Sequence, residues 1–197
     1  MITIVDYGAG NLRSVENTLA KTGAAYRITR DPAQVRAAEK IILPGVGHFG
    51  QMMRALDELG LREPLVEKAR TVPFLGICLG LQAMFETSAE APEEHGFALF
   101  AGQVERFPLT ARVPHMGWNE IVPAAPSRLL TGLGARPYVY FAHSYYCPLM
   151  PATAASCEYT GVGYTAVLES GNLFGVQFHP EKSGPLGLQI IANFVRI

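Results

Sequence analysis

The segment Gly76-Ile77-Cys78-Leu79-Gly80 places a cysteine between an apolar run and a helical pattern. A nucleophile elbow requires this arrangement, because flanking glycines let a strand and a helix pack closely around a strained turn. The turn would put the thiol at a helix N-terminus, where the dipole favours a thiolate. It would also point the backbone N–H of Leu79 at a developing oxyanion. A buried structural thiol between two packing glycines explains the segment equally well.

A histidine and a glutamate follow an apolar run near the end of the chain, in His179-Pro180-Glu181. Residues two apart on an extended chain face the same side. One ring nitrogen of His179 can therefore accept the thiol proton while Glu181 holds the other nitrogen. Alone, the tripeptide is also typical of a surface turn. Together with the upstream cysteine elbow, it predicts a Cys78–His179–Glu181 triad.

A glycine-rich loop, Pro44-Gly45-Val46-Gly47, leaves the third predicted strand. In open α/β sheets, sites lie at the carboxyl ends of the strands. Glycines on both sides of one peptide allow that peptide to rotate at little steric cost. The backbone N–H of Val46 could thus complete an oxyanion hole with that of Leu79. An ordinary turn remains the alternative for this loop.

The first half of the chain has the pattern that would position these groups, because apolar, β-branched runs alternate with helical periodicity. Predicted strands cover residues 1–5, 25–29, 40–43 and 73–77. The first predicted helix begins after a cap at Asn11 and ends near Gly23, and further helices cover about 49–59, 62–70 and 79–85. Strands separated by helices imply crossover connections and a parallel sheet.

The second half offers short strands broken by Pro, Gly and Ser, which indicate antiparallel ribbons added to that sheet. The candidates are residues 103–107, 138–142, 154–159, 165–169 and 173–177. Pro185 opens a last helix with Leu186, Ile190 and Phe194 on one face. The pattern predicts one α/β domain over residues 1–197, with an open, mostly parallel sheet flanked by helices.

Composition and charge narrow the classes of partner. The chain has 197 residues, 49% of them hydrophobic, and a formal net charge of −1. The chain therefore lacks the excess positive charge that binding to a nucleic-acid backbone or an anionic membrane surface requires. No segment of the sequence is long and apolar enough to span a bilayer. The three cysteines and five histidines show no metal-ligand spacing. These features, with an N-terminus that reads as a strand, predict a reduced, cytoplasmic protein without a metal.

The segments PGVG, GICLGLQ and FHPE together resemble the class I (triad) glutamine amidotransferases. Within that family, the chain is similar to the glutaminase subunits of imidazole glycerol phosphate synthase. The resemblance runs nearly end to end, through DYGAGNLRSV, LPGVGHF, PHMGWN, HSYY and GVQFHPEKSG. PHMGWN and PGVGHF are its specific parts, since relatives in other pathways typically differ there. The resemblance implies the class I glutamine amidotransferase fold.

The resemblance also implies a reaction and a set of substrate contacts. Cys78 would attack the glutamine side-chain amide and release ammonia, and water would hydrolyse the resulting thioester. The implied substrate-binding residues are Gly47, Gln82, Glu90, Ser144 and Tyr145. Solvated helix ends for Gln82 and Glu90, and ordinary sheet packing for HSYY, are the alternatives.

The resemblance further implies that the ammonia passes to a separate (β/α)8-barrel cyclase subunit for histidine biosynthesis. This chain is too short to include such a barrel of ~250 residues. Asn11, Trp118 and Lys182 match interface positions of the family. Trp118 is also compatible with a core position.

Three other functions compete with this interpretation. Gly8-Ala9-Gly10 and Asp31 have the spacing of a dinucleotide fingerprint, but Arg13 replaces its third glycine. A cysteine hydrolase acting on peptides or γ-glutamyl chains would use the same triad, and PHMGWN argues against it. A non-catalytic docking subunit would not need an intact triad.

Overall fold

The strands and helices are described for residues 1–8 and 11–197 in a computed structural model. The strands are β1 Ile2–Val5, β2 Tyr26–Thr29, β3 Ile41–Gly45, β4 Phe74–Cys78, β5 Phe85–Ser88, β6 Phe100–Arg106, β7 His115–Glu120, β8 Val122–Pro123, β9 Tyr138–His143, β10 Tyr145–Tyr146, β11 Thr153–Tyr159, β12 Val162–Ser170 and β13 Leu173–Val176. The helices are α1 Leu12–Ala20, α2 Pro32–Arg36, α3 Phe49–Glu58, α4 Arg62–Ala69, α5 Leu79–Gln82 and α6 Gly184–Arg196. Pro180–Lys182 forms one 3-10 turn.

A mixed sheet forms the centre of the molecule, in the order β2-β1-β3-β4-β13-β12-β11-β8. The strands from β2 to β13 pair in parallel, and those from β13 to β8 pair antiparallel. The predicted open, mostly parallel sheet with antiparallel strands from the second half is confirmed. The prediction was wrong for β13, which pairs in parallel with β4 and belongs to the parallel part as much as to the ribbons.

Apolar side chains cover the sheet on both faces. On one face Ile4 and Phe174 pack in one core with Val15 of α1 and Phe194 of α6. The other face forms a second core with α3 and α4, in which Phe49 is fully buried. Strands buried on both faces read as continuous apolar runs, which is why β1, β3 and β4 could be recognised from the sequence.

The helix predicted at 79–85 ends after one turn, at Gln82. The carbonyl oxygens of Ala83 and Met84 accept hydrogen bonds from the N–H groups of Phe97 and Leu99, at 2.7 and 2.9 Å. Phe85 then begins β5, which pairs in parallel with β6. Tertiary pairing with the 97–100 segment therefore overrides the local helical pattern.

The residues that precede α1 and α2 differ in their contacts from what the sequence predicted. Asn11 precedes α1, but its side chain accepts from the Ser14 hydroxyl, at 2.7 Å, and caps no backbone N–H. Asp31 caps α2, a helix that the sequence pattern did not predict, by accepting from the N–H of Ala33 at 2.9 Å. Asp31 thus has a structural task unrelated to a nucleotide. Ala9 and Gly10 of the dinucleotide-like turn lie outside the described residues.

The strands β7 and β9 form an antiparallel two-stranded sheet of their own, called the ribbon below. Only its second strand was predicted. The ribbon is tied to the triad segment, because the N–H of His179 donates to the carbonyl of Tyr140 at 2.8 Å. None of the helices in residues 1–8 and 11–197 combines the length and apolar character that crossing a bilayer requires.

Candidate active site

Cys78 occupies a sharp turn between β4 and α5, with φ 54° and ψ −108°. A positive φ at a residue with a side chain stores roughly 1–3 kcal/mol of strain. The flanking glycines are sterically required: a Cβ on Gly80 would meet the Leu43 carbonyl oxygen at 2.0 Å, and one on Gly76 would meet the Gly80 oxygen at 2.5 Å. The geometry is that of a nucleophile elbow. Cys78 lies at the carboxyl edge of the sheet, and the residue is 6% exposed.

His179 and Glu181 are in direct contact, with 2.8 Å between Nδ1 and Oε1. Their side chains are 4% and 2% exposed. Glu181 lies on the 3-10 turn Pro180–Lys182 and not on an extended strand, so the expected reason for the contact was wrong. The turn folds the carboxylate back onto the ring. Since a carboxylate only accepts, Nδ1 carries the proton and Nε2 remains available to the thiol.

The electrostatics favour a charged ring at His179. Burial alone would lower the pKa of His179, but the Cys78 sulfur and the Glu181 carboxylate outweigh this effect and raise the pKa. An imidazolium beside a sulfur stabilises the thiolate form of a cysteine. The pair can therefore exchange one proton between sulfur and ring nitrogen, as nucleophilic catalysis requires.

A cavity of ≈ 170 Å³ opens over Cys78 and His179. Its volume is well below the roughly 300–1,000 Å³ of sites for drug-sized ligands, so it suits a ligand of amino-acid size. All the residues predicted for the oxyanion hole and for substrate binding line it, namely Val46, Gly47, Leu79, Gln82, Glu90, Ser144 and Tyr145. The structure thus brings these residues together, although they come from four separate segments.

The two predicted oxyanion donors differ in availability. Leu79 is the first residue of α5, where a backbone N–H has no partner within the helix. The N–H of Val46 instead donates to the Tyr7 hydroxyl at 3.3 Å, and that hydroxyl lies 3.5 Å from the Val46 carbonyl. Gly47 has φ 97°, a conformation that favours glycine. Because the Val46 N–H already donates to Tyr7, only the Leu79 N–H of these two donors is free for an oxyanion in this conformation.

Gln82 is 3% exposed, so a solvated helix end is wrong for this residue. Its amide nitrogen donates to the Tyr145 carbonyl at 2.9 Å and to Oε1 of Gln177 at 3.1 Å. With both amide protons engaged, its own oxygen is the group left for a ligand. Glu90 is half-buried and accepts from the N–H of Phe49 at 2.8 Å, so one carboxylate oxygen caps α3.

Ser144 joins β9 to β10, whose first residue is Tyr145, and both residues line the cavity. The carbonyl of Ser144 accepts from the N–H of Phe107 at 3.2 Å. The carbonyl of Tyr145 accepts from Nδ1 of His143 at 2.8 Å as well as from Gln82. The segment therefore packs as part of a sheet and also faces the cavity.

The three predicted interface residues lie near the ribbon and the triad turn. Trp118 is 55% exposed, so a core position is wrong for it, and its ring meets Tyr140 edge-on at 6.2 Å. The ammonium of Lys182 lies 5.7 Å from the centre of the same Tyr140 ring. Asn11 directly precedes α1, which packs against the 3-10 turn that carries Lys182.

Sequence reasoning missed Tyr7 and Gln177. Gln177 is fully buried, and its amide nitrogen lies 3.6 Å from the sulfur of Cys78. A polar residue inside the apolar run that precedes His179 was the available signal. Tyr7 follows β1 at the same edge of the sheet, with no comparable signal. In the part of the chain that is described, no three His, Cys, Asp or Glu side chains are grouped as metal ligands.

Comparison with known proteins agrees with this geometry. A family model described as glutamine amidotransferase class-I matches residues 3–197. The imidazole glycerol phosphate synthase subunit HisH of Methanothermobacter thermautotrophicus strain Delta H is 48% identical, covering 100% of this chain and 98% of that protein. The subunit of the same name from Desulfitobacterium hafniense strain Y51 is 47% identical, over 98% of this chain and 93% of that protein. A solved glutamine amidotransferase, 16% identical, superposes with a TM-score of 0.77 and full coverage of both chains, which supports the fold alone.

Proposed function

Since this chain belongs to the class-I glutamine amidotransferases, we propose that it hydrolyses glutamine to glutamate and ammonia through Cys78, His179 and Glu181. We further propose that it is the glutaminase subunit of imidazole glycerol phosphate synthase. The observation that carries the proposal is the meeting of an elbow cysteine with a buried His–Glu pair at one cavity.

The reaction follows from these groups. His179 takes the thiol proton of Cys78, and the thiolate attacks the side-chain carbonyl carbon of glutamine. The oxyanion faces the N–H of Leu79, and collapse of the intermediate releases ammonia, which carries the proton supplied by His179. Water, deprotonated by His179, then attacks the thioester. The C–S bond breaks and glutamate leaves, while Glu181 stabilises the imidazolium in both halves.

The substrate's α-carbon groups would be held at the far side of the cavity. Glu90 has a second carboxylate oxygen for an α-ammonium, and the amide oxygen of Gln82 accepts from the same kind of donor. Backbone groups of Ser144 and Tyr145 would contact the α-carboxylate, with Gly47 beside them.

The ammonia would pass to a (β/α)8-barrel cyclase subunit that closes the imidazole ring in histidine biosynthesis. The names of the curated relatives support this partner, since both are subunits of imidazole glycerol phosphate synthase. The exposed apolar side chains of Met116, Trp118 and Tyr138 on the β7–β9 ribbon support a docking face there. Asn11 and Lys182 would border that face.

We expect weak glutaminase activity from the isolated chain. The Val46 N–H is engaged by Tyr7, so a conformation that presents it to the oxyanion must be selected by the partner and its ligand. Full turnover by the lone subunit, equal to that of the complex, would contradict this expectation.

Glutamate release is the measurement that tests the proposed function. The chain is incubated with glutamine, with and without a cyclase subunit, and compared with Cys78→Ala. We expect release that depends on Cys78 and rises with the partner. Equal release by wild type and Cys78→Ala would refute the triad, and cleavage of peptides without glutamine turnover would favour the cysteine hydrolase.

Labelling by a mechanism-based glutamine analogue identifies the nucleophile directly. We expect label at Cys78 only. Burial raises the pKa of Cys147 well above its ordinary range and the pKa of Cys157 to about 11, so both remain thiols. The matched controls are Cys147→Ala and Cys157→Ala, which should label as wild type does.

The whole chain is proposed to act as one glutamine amidotransferase domain, because the family match spans residues 3–197 and one sheet joins β1 to β13. The cytoplasm is its proposed compartment. A nucleophilic cysteine must stay reduced, and all three cysteines are free thiols.

A further inference from the structure

We propose that Gln177 is a further catalytic residue, whose side-chain N–H donates a hydrogen bond to the Cys78 sulfur and stabilises its thiolate. This inference rests on the proposed function and assigns a role in it to a residue that the sequence patterns did not single out. Gln177 touches the reacting atom itself, at 3.6 Å between Nε2 and Sγ.

The sheet register puts Gln177 beside the nucleophile. β13 runs parallel to β4, with Val176 opposite Ile77. Gln177 follows Val176 and Cys78 follows Ile77, so these two residues are neighbours as well. The backbone N–H of Gln177 continues the sheet by donating to the Ala166 carbonyl at 2.9 Å. The side chain is fully buried. A polar side chain at this depth requires a partner for each polar group, and the sulfur is the partner of its nitrogen.

Gln82 determines which end of the Gln177 amide faces the sulfur. Its Nε2 group donates to Oε1 of Gln177 at 3.1 Å and to the Tyr145 carbonyl at 2.9 Å. Because the Tyr145 carbonyl oxygen can only accept, the amide end of Gln82 that faces it must be the nitrogen. The Gln177 oxygen is thereby turned to Gln82, and its NH2 group to Cys78. Gln82 is in this respect a positioning residue.

The Tyr145 carbonyl that anchors Gln82 is itself fixed from behind. His143 donates from Nδ1 to that carbonyl at 2.8 Å, which leaves Nε2 as an acceptor for the Tyr164 hydroxyl at 3.3 Å. That hydroxyl can then accept from Nδ1 of His115 at 3.1 Å. Each of these N–H and O–H groups has its own acceptor within the buried network, so the amide of Gln177 has no second arrangement of equal quality.

The contact between the Gln177 amide and the Cys78 sulfur would affect both steps of the reaction. A hydrogen bond to a charged acceptor is stronger than one to a neutral acceptor, so the amide favours the thiolate over the thiol. The thiolate is the attacking species when the thioester forms. It is also the leaving group when water breaks the C–S bond. Gln177 would therefore lower the barrier at both ends of the reaction.

The test is the pH dependence of Cys78 alkylation by iodoacetamide in the full chain, read at Cys78 by mass spectrometry. Gln177→Met keeps the length of the side chain and removes the donor. Gln177→Glu keeps its shape and puts an acceptor at the sulfur. We expect the midpoint of alkylation to rise by about one pH unit, or about a tenfold loss of thiolate below the midpoint, in Gln177→Met. The rise should be larger in Gln177→Glu.

A matched exchange at a distant glutamine, Gln189→Met on α6, should leave the midpoint unchanged. Thermal unfolding shows whether each variant is folded, and either folded variant suffices for the test. An unchanged midpoint in a folded Gln177 variant would overturn the inference. Alkylation needs neither glutamine nor a partner, so failure of the proposed function would appear separately, as glutamate release that is independent of Cys78.

Discussion

At the scale of single residues, the position of one backbone N–H depends on one phenolic hydroxyl. Tyr7 is buried, and burial raises its pKa to about 12, so the hydroxyl keeps its proton at any pH near neutrality. It contacts the backbone N–H of Val46 at 3.3 Å and the carbonyl oxygen of the same residue at 3.5 Å. A hydrogen bond of this kind contributes roughly 0.5–1.5 kcal/mol, which is small enough for a ligand to reverse.

Tyr7→Phe should therefore raise the glutaminase activity of the isolated chain by about 2- to 10-fold, the range that corresponds to that free energy. The phenyl ring keeps the packing while the Val46 N–H loses its competing acceptor. Initial rates of glutamate release without partner measure the effect. The matched control is Tyr26→Phe on β2, which removes a hydroxyl that donates to Glu16 of α1. A rate for Tyr7→Phe no higher than that of the control would contradict the prediction.

Glu181→Gln should cost less activity than His179→Ala. The glutamine side chain can still contact the ring across the 2.8 Å gap, so the base remains while its charge partner is lost. Removing His179 eliminates the base itself. The values of kcat for both variants in the presence of partner decide the order. The reverse order would mean that the two roles are misassigned.

At the scale of elements, the close approach of α6 to the triad turn depends on one glycine. A Cβ on Gly187 would meet the Pro180 carbonyl oxygen at 1.9 Å and Cβ of Ser183 at 2.9 Å. The helix can therefore lie directly on the segment that carries Glu181. No Pro or Gly rule predicts this contact from the sequence, because the packing partner is known only once the chain is folded.

Gly187→Ala should destabilise the protein by about 1–3 kcal/mol, the usual cost of overpacking. Helix propensity alone predicts the opposite sign, since Ala is better than Gly in a helix by about 1 kcal/mol. Urea unfolding distinguishes the two. Gly163→Ala on the exposed face of β12, where a Cβ would meet only Leu149 at 3.5 Å, is the control. A Gly187→Ala protein as stable as wild type would refute the close contact.

The elements that could be predicted from the sequence are those with an unambiguous pattern. The buried strands β1, β3 and β4 and the amphipathic helices α3 and α6 were recognised with bounds close to those observed. The short α5 was overextended and β7 was missed, because pairing with distant segments decides both. At the site, the triad residues stood in recognisable motifs. Tyr7 and Gln177 lie within segments that carry the resemblance, but neither was assigned a role, since their contacts depend on how distant strands are placed beside one another.

At the scale of the whole molecule, a buried neutral histidine links stability to pH. His143 is 5% exposed. Burial lowers its pKa to about 3, helped by the nearby His115 and His179 and opposed by the hydrogen bond to Tyr145. The unfolded chain binds a proton below about pH 6.5, and the folded chain does not until far lower pH. The contribution of neutral His143 to the free energy of unfolding is therefore fully present above about pH 6.5 and is lost as the pH falls toward its folded-state pKa.

Between pH 6.5 and 5 the free energy of unfolding should fall by about 1 kcal/mol per pH unit on account of His143. His143→Gln retains a donor and an acceptor but does not titrate, so its slope should be smaller by that amount. Urea unfolding at four pH values in this window measures both slopes. The exposed His95→Gln controls for the change of residue type. Equal slopes in wild type and His143→Gln would contradict the prediction.

The exposed Trp118 has an optical consequence. It is the only tryptophan in the sequence, so indole fluorescence from the whole protein comes from one place on the β7–β9 ribbon. Because its ring is half in water, its emission lies toward longer wavelengths. A surface that covers the ribbon would shift that emission to shorter wavelengths, whereas filling the cavity over Cys78 would not dry the ring. The protein thus carries a native reporter that distinguishes docking from substrate binding without an added dye.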